Sequence, residues 1–541
     1  MMNFAIPLCG IVAGVTSHLG FFIHGEWHLH SRSIIGAHAT IAALVLGTLQ
    51  RYLDDILAAC TYTITLSAWY LISLFASIAV YRTMFHKLVN FPGPRLAAVS
   101  KFWHIYHARN STNYLVMQRL YEKYGTVVRT GPNEITIFHP SAIELLDGAH
   151  NTNSKDVWYD VLQPRTSAIF TRNAQDHRDR RRVWTQSLST KAMDEFRPRI
   201  YQQALNLVQC IQELSSAPVN INDVMSWFSF DAMGDVVFGK SFGMMQEKVT
   251  HDAIIHQKRA LALLGPISDA VWIAQLAFSF VPFLGKVKSW MRMVSYCEER
   301  MARRMELQTD EKADMASWFI DEYHNLSEVR DLQSRQRLLG GTAVSAIVAG
   351  SDTTRASLIA TWWYLAKYPE HAEKIRQEIE TVDIGDANVL AGLPHLNGVI
   401  QEILRLVPPA MTGGGRITGP QGLTVDNVFI PAGTKVTAPK YVIKRMENAF
   451  VHPDEFIPER WYSRPDLVKD KRAFGPFSFG SRQCVGKVLA YAELRLVTAN
   501  VLRNFNVSFS PGYDEETMWR DMKDQVTAQP GQVLCTFERR I

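Results

Sequence analysis

The chain contains few cysteines, six in 541 residues. None of them forms a Cys-x-x-Cys pair, and two, Cys9 and Cys60, fall in apolar N-terminal segments. A disulfide framework or a zinc ribbon needs more cysteines at closer spacing, so the sequence excludes both. The pattern is typical of a chain whose main body stays reduced and faces the cytosol.

The chain also lacks a block of charge of one sign. Its 57 basic and 52 acidic side chains give a net charge of +5, and the basic residues are scattered along the sequence. No nucleic-acid partner is therefore predicted. Apolar residues are abundant instead, because 47% of the chain is hydrophobic and 11% is aromatic. That content excludes a disordered chain and predicts a large buried core.

The N-terminal residues 1–90 predict a membrane anchor. Residues 56–80 contain no charged side chain, and this segment is long enough to cross a bilayer as a helix. Residues 4–24 form a second candidate span. Residues 34–50 form a third, for which an interfacial or re-entrant segment is the alternative. A cleaved signal peptide is the alternative for the first segment, but its start, MMN, has no Lys or Arg.

Basic residues directly after the third predicted span set the expected orientation. Positive charge accumulates on the cytosolic side of a membrane, so the C-terminal body is predicted to face the cytosol, with the endoplasmic reticulum as the expected membrane. The residues concerned are Arg82, His86, Lys87, Arg95 and Lys101.

Residues 91–95, FPGPR, separate the anchor from the rest of the chain. Two prolines flanking a glycine cannot continue a helix, so this segment predicts a stiff hinge. Residues 96–541 show no internal repeat and predict one mainly helical domain with small β-sheets. Alternating residues around turns predict hairpins at 126–138 and 423–436. Apolar residues recur at helical spacing in 193–215, 253–262, 286–309, 332–367, 369–382, 395–406 and 486–504.

The long predicted helix 332–367 carries the motif AGSDTT, residues 349–354. Gly350 lacks a side chain, and threonine hydroxyls can bond to a carbonyl one turn back, so the helix can bulge here and admit water. An acid next to an alcohol, Asp352 and Thr353, suits proton transfer. A mere polar patch on a helix is the alternative interpretation.

A possible buried ion network involves EILR and PERW. Glu402 and Arg405 lie three residues apart on one helix face, a common pair that is weak when exposed. Arg460 lies in a later Pro-rich segment and is predicted to join them. The resulting network would fix the chain that precedes Cys484.

Cations are stacked in the sequence HRDRRRVW, residues 177–184. His177 and Arg181 lie four residues apart on one helix face. A solvated basic face is the usual explanation of such a run. The alternative is recognition of carboxylates, which the planar fork of arginine binds well, and Arg416 and Arg482 are further candidates.

Cys484 lies in the sequence FSFGSRQCVG, residues 477–486. Gly480 and Gly486 let the backbone turn and approach a flat ligand, and the N–H groups of the following helix would stabilise a thiolate. A nucleophilic cysteine and an inert buried cysteine are the alternatives. No histidine lies nearby in sequence to support the nucleophile.

Together these motifs resemble those of membrane-anchored cytochrome P450 enzymes, which are haem-thiolate monooxygenases. The resemblance runs from Pro92 to the C-terminus. AGSDTT is similar to the family's A/G-G-x-D/E-T-T, EILR to its ExxR and PERW to its PERF-type signature, while FSFGSRQCVG matches FxxGxRxCxG at every fixed position. His177 departs from the Trp of many relatives, and Trp461 replaces the last residue of PERF.

The resemblance implies the fold and the roles of particular residues. The cytochrome P450 fold is mainly α with small β-sheets, and its haem lies between a long distal helix and the cysteine loop. By the resemblance, Cys484 is the axial thiolate ligand of the iron of haem b, and Asp352 and Thr353 relay protons. The other implied cofactor-binding residues, of which the histidine and the arginines hold the propionates, are His177, Arg181, Arg416, Phe477, Gly480, Arg482 and Gly486.

The resemblance further implies partners. Only 57 residues follow Cys484 and no GxGxxG opens a strand–helix unit, so no fused reductase is expected. Electrons would come from NADPH through a separate flavoprotein, the P450 reductase, with Lys471, Arg472 and Lys487 as candidate contacts. The other expected partners are O2, a lipid bilayer and a hydrophobic small molecule.

The substrate class is predicted by similarity to fungal members that tailor secondary metabolites: a terpenoid, an indole alkaloid or a polyketide. Residues expected to face it lie in 155–170, which includes Trp158 and Tyr159, and at Ala346, 410–414 and Val526. A haem-thiolate isomerase or dehydratase and a multi-step oxidase are the alternative functions. An electron-transfer or gas-sensing haem protein is less well supported, because it needs no large apolar cavity.

Overall fold

The structure is a computed structural model that describes residues 2–267, 270–307 and 314–540. Apolar helices at the N-terminus precede a mainly helical body with small sheets, as the sequence predicts. The long helix Leu332–Lys367, here the central helix, crosses the body, and most of its residues from Leu338 onwards are buried.

Three anchor helices are long and apolar enough to cross a membrane: Phe4–Phe22, Ser31–Leu53 and Ile56–Phe85. The prediction of three N-terminal apolar helices is confirmed. The second helix is longer than the predicted 34–50. The third runs past the predicted end at 80, through a π-helical turn at Tyr81–Phe85.

The first and third anchor helices pack closely, because glycine lies at their interface. A Cβ atom on Gly14 would lie 2.1 Å from Ser73 Oγ and 2.4 Å from the Tyr70 carbonyl oxygen. Small residues allow this approach between helices that have no hydrophobic driving force in lipid. The anchor is therefore a packed bundle.

Residues 23–30, the anchor loop between the first two helices, bind to the body. Glu26 accepts two bonds from Arg172, with Nη1–Oε2 2.6 Å and Nη2–Oε1 2.8 Å. His28 Nε2 lies 2.8 Å from Asp160 Oδ2, which also accepts from Arg172 Nη1 at 2.9 Å. The anchor loop therefore lies on the same side of the anchor as the body, while the turn between the second and third helices lies at the opposite end.

The body helices follow the predicted apolar periodicity closely. The segment 193–215, for example, becomes Thr190–Leu214, with Ser189 as its N-cap. The segment 286–309 becomes Gly285–Glu306, and positions 308 and 309 lie outside the described residues. Several further helices were not predicted, among them Asn113–Tyr124, Ile221–Phe238 and Met315–Asn325. One of them, Ile221–Phe238, is buried almost all round and shows no periodicity.

The α-helices of the body are Arg95–Val99, Phe102–His107, Asn113–Tyr124, Ala142–Asp147, Ala174–Ser187, Thr190–Leu214, Ile221–Phe238, Met244–Glu247, Asp252–Ile267, Val271–Phe280, Gly285–Glu306, Met315–Asn325, Leu332–Lys367, Pro369–Ile379, Ala387–Ala391, Pro394–Leu406, Lys440–Ile443, Lys487–Asn504 and Thr517–Arg520. Short 3-10 helices include Val157–Leu162 and Pro458–Trp461.

The largest described sheet positions part of the site. Its strands, in spatial order, are Val127–Gly131, Glu134–Ile137, Lys435–Thr437, Arg416–Ile417 and Ser154–Lys155. The last two pair antiparallel and place Lys155 opposite Arg416. The smaller sheets are formed by Val219–Asn220, Leu534–Arg539 and Phe505–Phe509, by Leu423–Val425 and Val428–Ile430, and by Lys523–Gln525 and Thr527–Gln529.

Glu402, Arg405 and Arg460 come together in the core, where all three are buried. Glu402 Oε1 accepts from Arg405 Nη2 at 2.7 Å and from Arg460 Nε at 2.9 Å. Its Oε2 accepts from Trp461 Nε1 at 2.8 Å. The remaining guanidinium N–H groups donate to backbone carbonyls between Lys444 and Leu467. The network ties the helix Pro394–Leu406 to the irregular chain before Cys484.

We predict that Glu402→Gln lowers the free energy of unfolding by about 3–5 kcal/mol. The substitution leaves two buried guanidinium groups without their shared carboxylate, which is costlier than losing an exposed pair. Urea unfolding of the full chain in neutral detergent, followed by tryptophan fluorescence, measures the change.

The matched control is Glu373→Gln, which removes a more exposed carboxylate 2.9 Å from Arg376 Nη1. It is expected to cost about 1 kcal/mol or less. Equal losses in the two variants would contradict a stabilising role for the buried network.

Candidate cofactor site

The cysteine loop, residues 477–486, holds Cys484 at the start of the helix Lys487–Asn504. The Cys484 N–H donates to the Phe477 carbonyl at 2.8 Å. Gly480 has a φ of +64°, and a Cβ atom there would lie 2.2 Å from the Asp147 carbonyl oxygen, so only glycine fits. The loop conformation thus depends on Gly480 and on the backbone beside it.

The Cys484 sulfur borders a cavity inside the body. Burial raises the pKa of its thiol, whereas the Gly486 N–H bonded to sulfur and the charges of Arg181 and Lys440 lower it. Donors and cations that favour the thiolate are therefore present. A metal ion at the sulfur would complete the shift, because a coordinating thiol is deprotonated.

The cofactor cavity lies between the cysteine loop and the central helix. One wall is the central helix around Ala346, Ala349 and Gly350, and the opposite wall is the start of the helix Lys487–Asn504. A flat, mostly apolar group fits between these walls. Predicted cofactor-binding residues that line it are His177, Arg181, Arg416, Phe477, Arg482, Cys484 and Gly486.

One end of the cofactor cavity gathers four cations: Lys155, Arg181, Arg416 and Arg482. Arg416 pairs with Asp147 at 2.7 Å, and Arg181 donates to the Gln483 carbonyl at 2.5 Å. Arg482 Nη1 is buried without a hydrogen-bond partner. An anionic group at this end would satisfy that donor, so the cation cluster fits the two carboxylates of a haem.

Lys155 is a member of the cation cluster that sequence reasoning missed. Its Nζ is buried and donates to the Ala168 carbonyl at 2.9 Å. Burial, together with Arg482 and Arg416, lowers the pKa of Lys155 well below its ordinary value, and Asp147 opposes this shift. A bound dianion would favour the charged lysine. No local sequence signal marks it, because its strand has two residues and pairs with a distant one.

His177 lies in the same cavity but contributes no positive charge at neutral pH. Burial and the charges of Lys155 and Arg482 lower its pKa to about 4. A neutral imidazole can donate or accept a hydrogen bond but brings no charge, in contrast to the cationic role suggested by the basic run in the sequence.

The central helix places Thr353 and Asp352 differently. Thr353 borders the cofactor cavity, and its Oγ1 donates to the Ala349 carbonyl at 2.7 Å. Asp352 is buried behind the helix, 3.0 Å from Arg355 Nη2, and accepts bonds from Thr527 and Gln529. The structure brings the threonine, but not the acid, to the cavity.

Glu493 is a second cavity residue that sequence reasoning missed. Its carboxyl group is buried, and burial raises its pKa to about 8, although a bond from Thr354 at 2.9 Å opposes the shift. Its Oε1 has no hydrogen-bond partner. The raised pKa favours the neutral, protonated form of this carboxyl group at the cavity wall.

A second cavity shares Tyr159, Ile169 and Arg416 with the first. It also brings together Trp158, Val526 and the glycines 413–415. Most of the residues predicted to face the substrate thus border one continuous region beside the cofactor cavity.

Comparison with known proteins agrees with this geometry. Residues 92–536 match the sequence model of the family described as Cytochrome P450. The chain is 33% identical over 545 residues to tryprostatin B 6-hydroxylase of Aspergillus fumigatus, covering 97% of this chain and 95% of the relative. It is 33% identical over 553 residues to cytochrome P450 monooxygenase notG' of Aspergillus versicolor, covering 100% and 98%.

A third relative, cytochrome P450 monooxygenase lcsK of Purpureocillium lilacinum, is 31% identical over 546 residues, covering 98% of this chain and 97% of the relative. The chain belongs to the cytochrome P450 family and is a haem-thiolate monooxygenase. The predictions of family, fold class and enzyme class are confirmed, while the roles of single residues stay predictions.

We predict that Arg482→Met accelerates haem loss about 10- to 100-fold. One charge-assisted hydrogen bond to a buried carboxylate is worth about 1.5–3 kcal/mol. Transfer of haem from the purified protein to apomyoglobin measures the rate.

The control for this test is Arg520→Met, which removes an exposed arginine paired with Asp514 and far in sequence from the cysteine loop. Haem loss from that variant is expected to match the unsubstituted protein. An Arg482→Met protein that also matched it would contradict propionate binding at Arg482.

Proposed function

We propose that the chain inserts one oxygen atom from O2 into a fungal secondary metabolite, with electrons from NADPH passed through a separate reductase. The observation that carries this proposal is the cofactor cavity, which has the Cys484 sulfur, the cation cluster and Thr353 on its walls. Similarity to the tryprostatin B 6-hydroxylases over nearly the whole chain favours an indole alkaloid over a terpenoid or a polyketide.

The chain's own residues prepare the cofactor. With haem bound, Arg181, Arg416, Arg482 and Lys155 would hold its carboxylates, and the Cys484 sulfur would bind its iron. When bound, a thiolate-ligated haem supplies the reductive activation of O2. The apolar walls around Ala346 and Leu489 exclude bulk water, which keeps protons from arriving except where side chains deliver them.

Proton delivery is assigned to Thr353 and Asp352. The Thr353 hydroxyl borders the cavity and holds its proton on the Ala349 carbonyl. To take part, the Asp352 carboxylate has to leave Arg355, Thr527 and Gln529 and take up a proton from water, so opening this ion pair is part of the relay. It then passes that proton to the Thr353 hydroxyl as the hydroxyl gives its own proton to the cavity. Because the pair joins the central helix to Gln529, movement of the C-terminal strands gates the step.

The reductase is proposed to dock on the face nearest Cys484. Lys471 and Lys487 are exposed there and present positive charge to an acidic partner. Arg472, the third predicted contact, is paired with Asp470 at 2.7 Å, which leaves less net charge at that position. The body is proposed to face the cytosol from the endoplasmic reticulum membrane.

We predict that the producing organism with Cys484→Ser accumulates a precursor one oxygen atom lighter than the lost product. Replacing the thiolate by an alcohol removes the electron donation that O2 activation needs. Mass spectrometry of paired metabolite extracts tests this and identifies the substrate class. A precursor of equal mass would instead support the isomerase, and a larger change would support successive oxidations.

We predict that Gly413→Phe reduces turnover at least ~10-fold without loss of haem, because the side chain fills the second cavity. A Cβ atom on Gly413 meets nothing within 4 Å, so the variant tests volume alone. Gly414→Phe is a poorer test, since Gly414 has a φ of +104° and any side chain there is strained.

Gly413→Ala serves as the matched control and is expected to keep its turnover. If Gly413→Phe also kept full activity and product profile, the second cavity would not hold the substrate.

A further inference from the structure

A third cavity lies between the anchor helices and the body. This anchor cavity is larger than the cofactor cavity and belongs to no step of the oxidation. Its walls are mostly apolar and come from all three anchor helices. They include Phe22, Ile34, Leu71, Phe75 and Ile78.

One end of the anchor cavity is basic. Arg82 and Lys87 border it, together with His86 and the turn at Pro132 and Asn133. Arg129, buried directly behind, lies 3.4 Å from the His86 ring through its Nη2. Two arginines and one lysine thus meet where the third anchor helix ends.

These cations bond to backbone carbonyls. Arg82 Nη1 donates to the Val99 carbonyl at 2.6 Å, and Lys87 Nζ donates to the Ala432 carbonyl at 2.6 Å. Arg129 donates to the carbonyl of Pro132 at 2.7 Å, among others. Within the described residues, no carboxylate lies at ion-pair distance from Arg82, Lys87 or Arg129. The charge of the cluster is therefore uncompensated.

The positive charges of this cluster also affect the pKa of His86. Burial and the charges of Arg129, Lys87 and Arg82 lower its pKa to about 4, so it is neutral at physiological pH. The neighbouring Lys101 differs, because Glu134 lies 2.7 Å from its Nζ. An anion at the basic end would meet Arg82 and Lys87, with Arg129 buried behind them.

The position of the basic end fits a membrane surface. Arg82 follows the apolar run 56–80, and the adjacent Met84 and Phe85 are 67% and 71% exposed. Trp27 of the anchor loop borders the same cavity, at the level where aromatic residues anchor to headgroups. Basic pockets between membrane helices bind anionic headgroups on the cytoplasmic side.

We propose that the anchor cavity binds one anionic glycerophospholipid, with its phosphate at Arg82 and Lys87 and its acyl chains between the anchor helices along Phe75 and Ile78. Only an amphiphile satisfies both ends, because the cations need an anion and the apolar walls need hydrocarbon. A neutral substrate on its way to the haem would leave the cations uncompensated. The proposal rests on membrane insertion of the three helices.

The test uses the full haem-loaded chain, purified in neutral detergent and delipidated. Dioleoylphosphatidylserine and dioleoylphosphatidylcholine are added in separate titrations, and native mass spectrometry counts bound lipid. We expect one tightly bound phosphatidylserine per chain, at least ~10-fold tighter than phosphatidylcholine. Arg82→Gln with Lys87→Gln is expected to abolish this preference.

The matched control is Arg32→Gln with Arg51→Gln, which removes two exposed charges from the second anchor helix outside the cavity. It should bind phosphatidylserine as the unsubstituted chain does. Ile78→Trp keeps the cations and fills the apolar end, so it should weaken both lipids alike. Its haem absorbance confirms folding.

Three results would overturn the proposal. Equal affinity for the two lipids would show that the basic cluster does not distinguish an anionic headgroup from a zwitterionic one. Complete displacement of phosphatidylserine by inorganic phosphate would reveal an anion site that does not bind acyl chains. Unchanged phosphatidylserine binding in both the double variant and Ile78→Trp would place the lipid elsewhere.

Discussion

The carboxylate of Glu402 is the point on which the cysteine side of the body depends. Two guanidinium groups, an indole N–H and a backbone N–H all converge on it in a site closed to water. Such a charge cluster is tolerated only when every donor is satisfied, so its geometry has little freedom. Trp461, bonded to Glu402, packs on Phe474 at a ring distance of 4.2 Å, directly before the cysteine loop. The buried ion network therefore constrains the position of Cys484.

The same logic of satisfied charge governs the cofactor cavity. Asp147 forms an ion pair with Arg416. Among the described residues, Lys155 and Arg482 lie in the same site without an ion pair of their own. Repulsion between cations that are held together in a protein interior destabilises the folded state. Binding of an anion relieves this repulsion. Haem binding and folding of this region are therefore linked, and stability of the body rises with occupancy of the site.

Local patterns in the sequence predict much of this molecule, and long-range contacts account for what they miss. Thr190–Leu214 and the central helix follow from apolar spacing, and Cys484 follows from its motif. Ile221–Phe238 escapes because a helix buried on all sides has no polar face to give a period. The position of Asp352 escapes because its partner Gln529 is 177 residues away. Lys155 escapes because two-residue strands carry no pattern.

Because the anchor loop bonds to the body, the N-terminal ninety residues are more than a membrane tether. Glu26 and His28 reach Arg172 and Asp160, and Asp160 is a neighbour of Trp158 and Tyr159 in the wall of the second cavity. A bundle that only tethered the enzyme would be interchangeable with any other hydrophobic leader. This one bonds to residues beside the wall of the second cavity, so a chimaera with a foreign leader leaves Arg172 without its carboxylate Glu26 and loosens that wall.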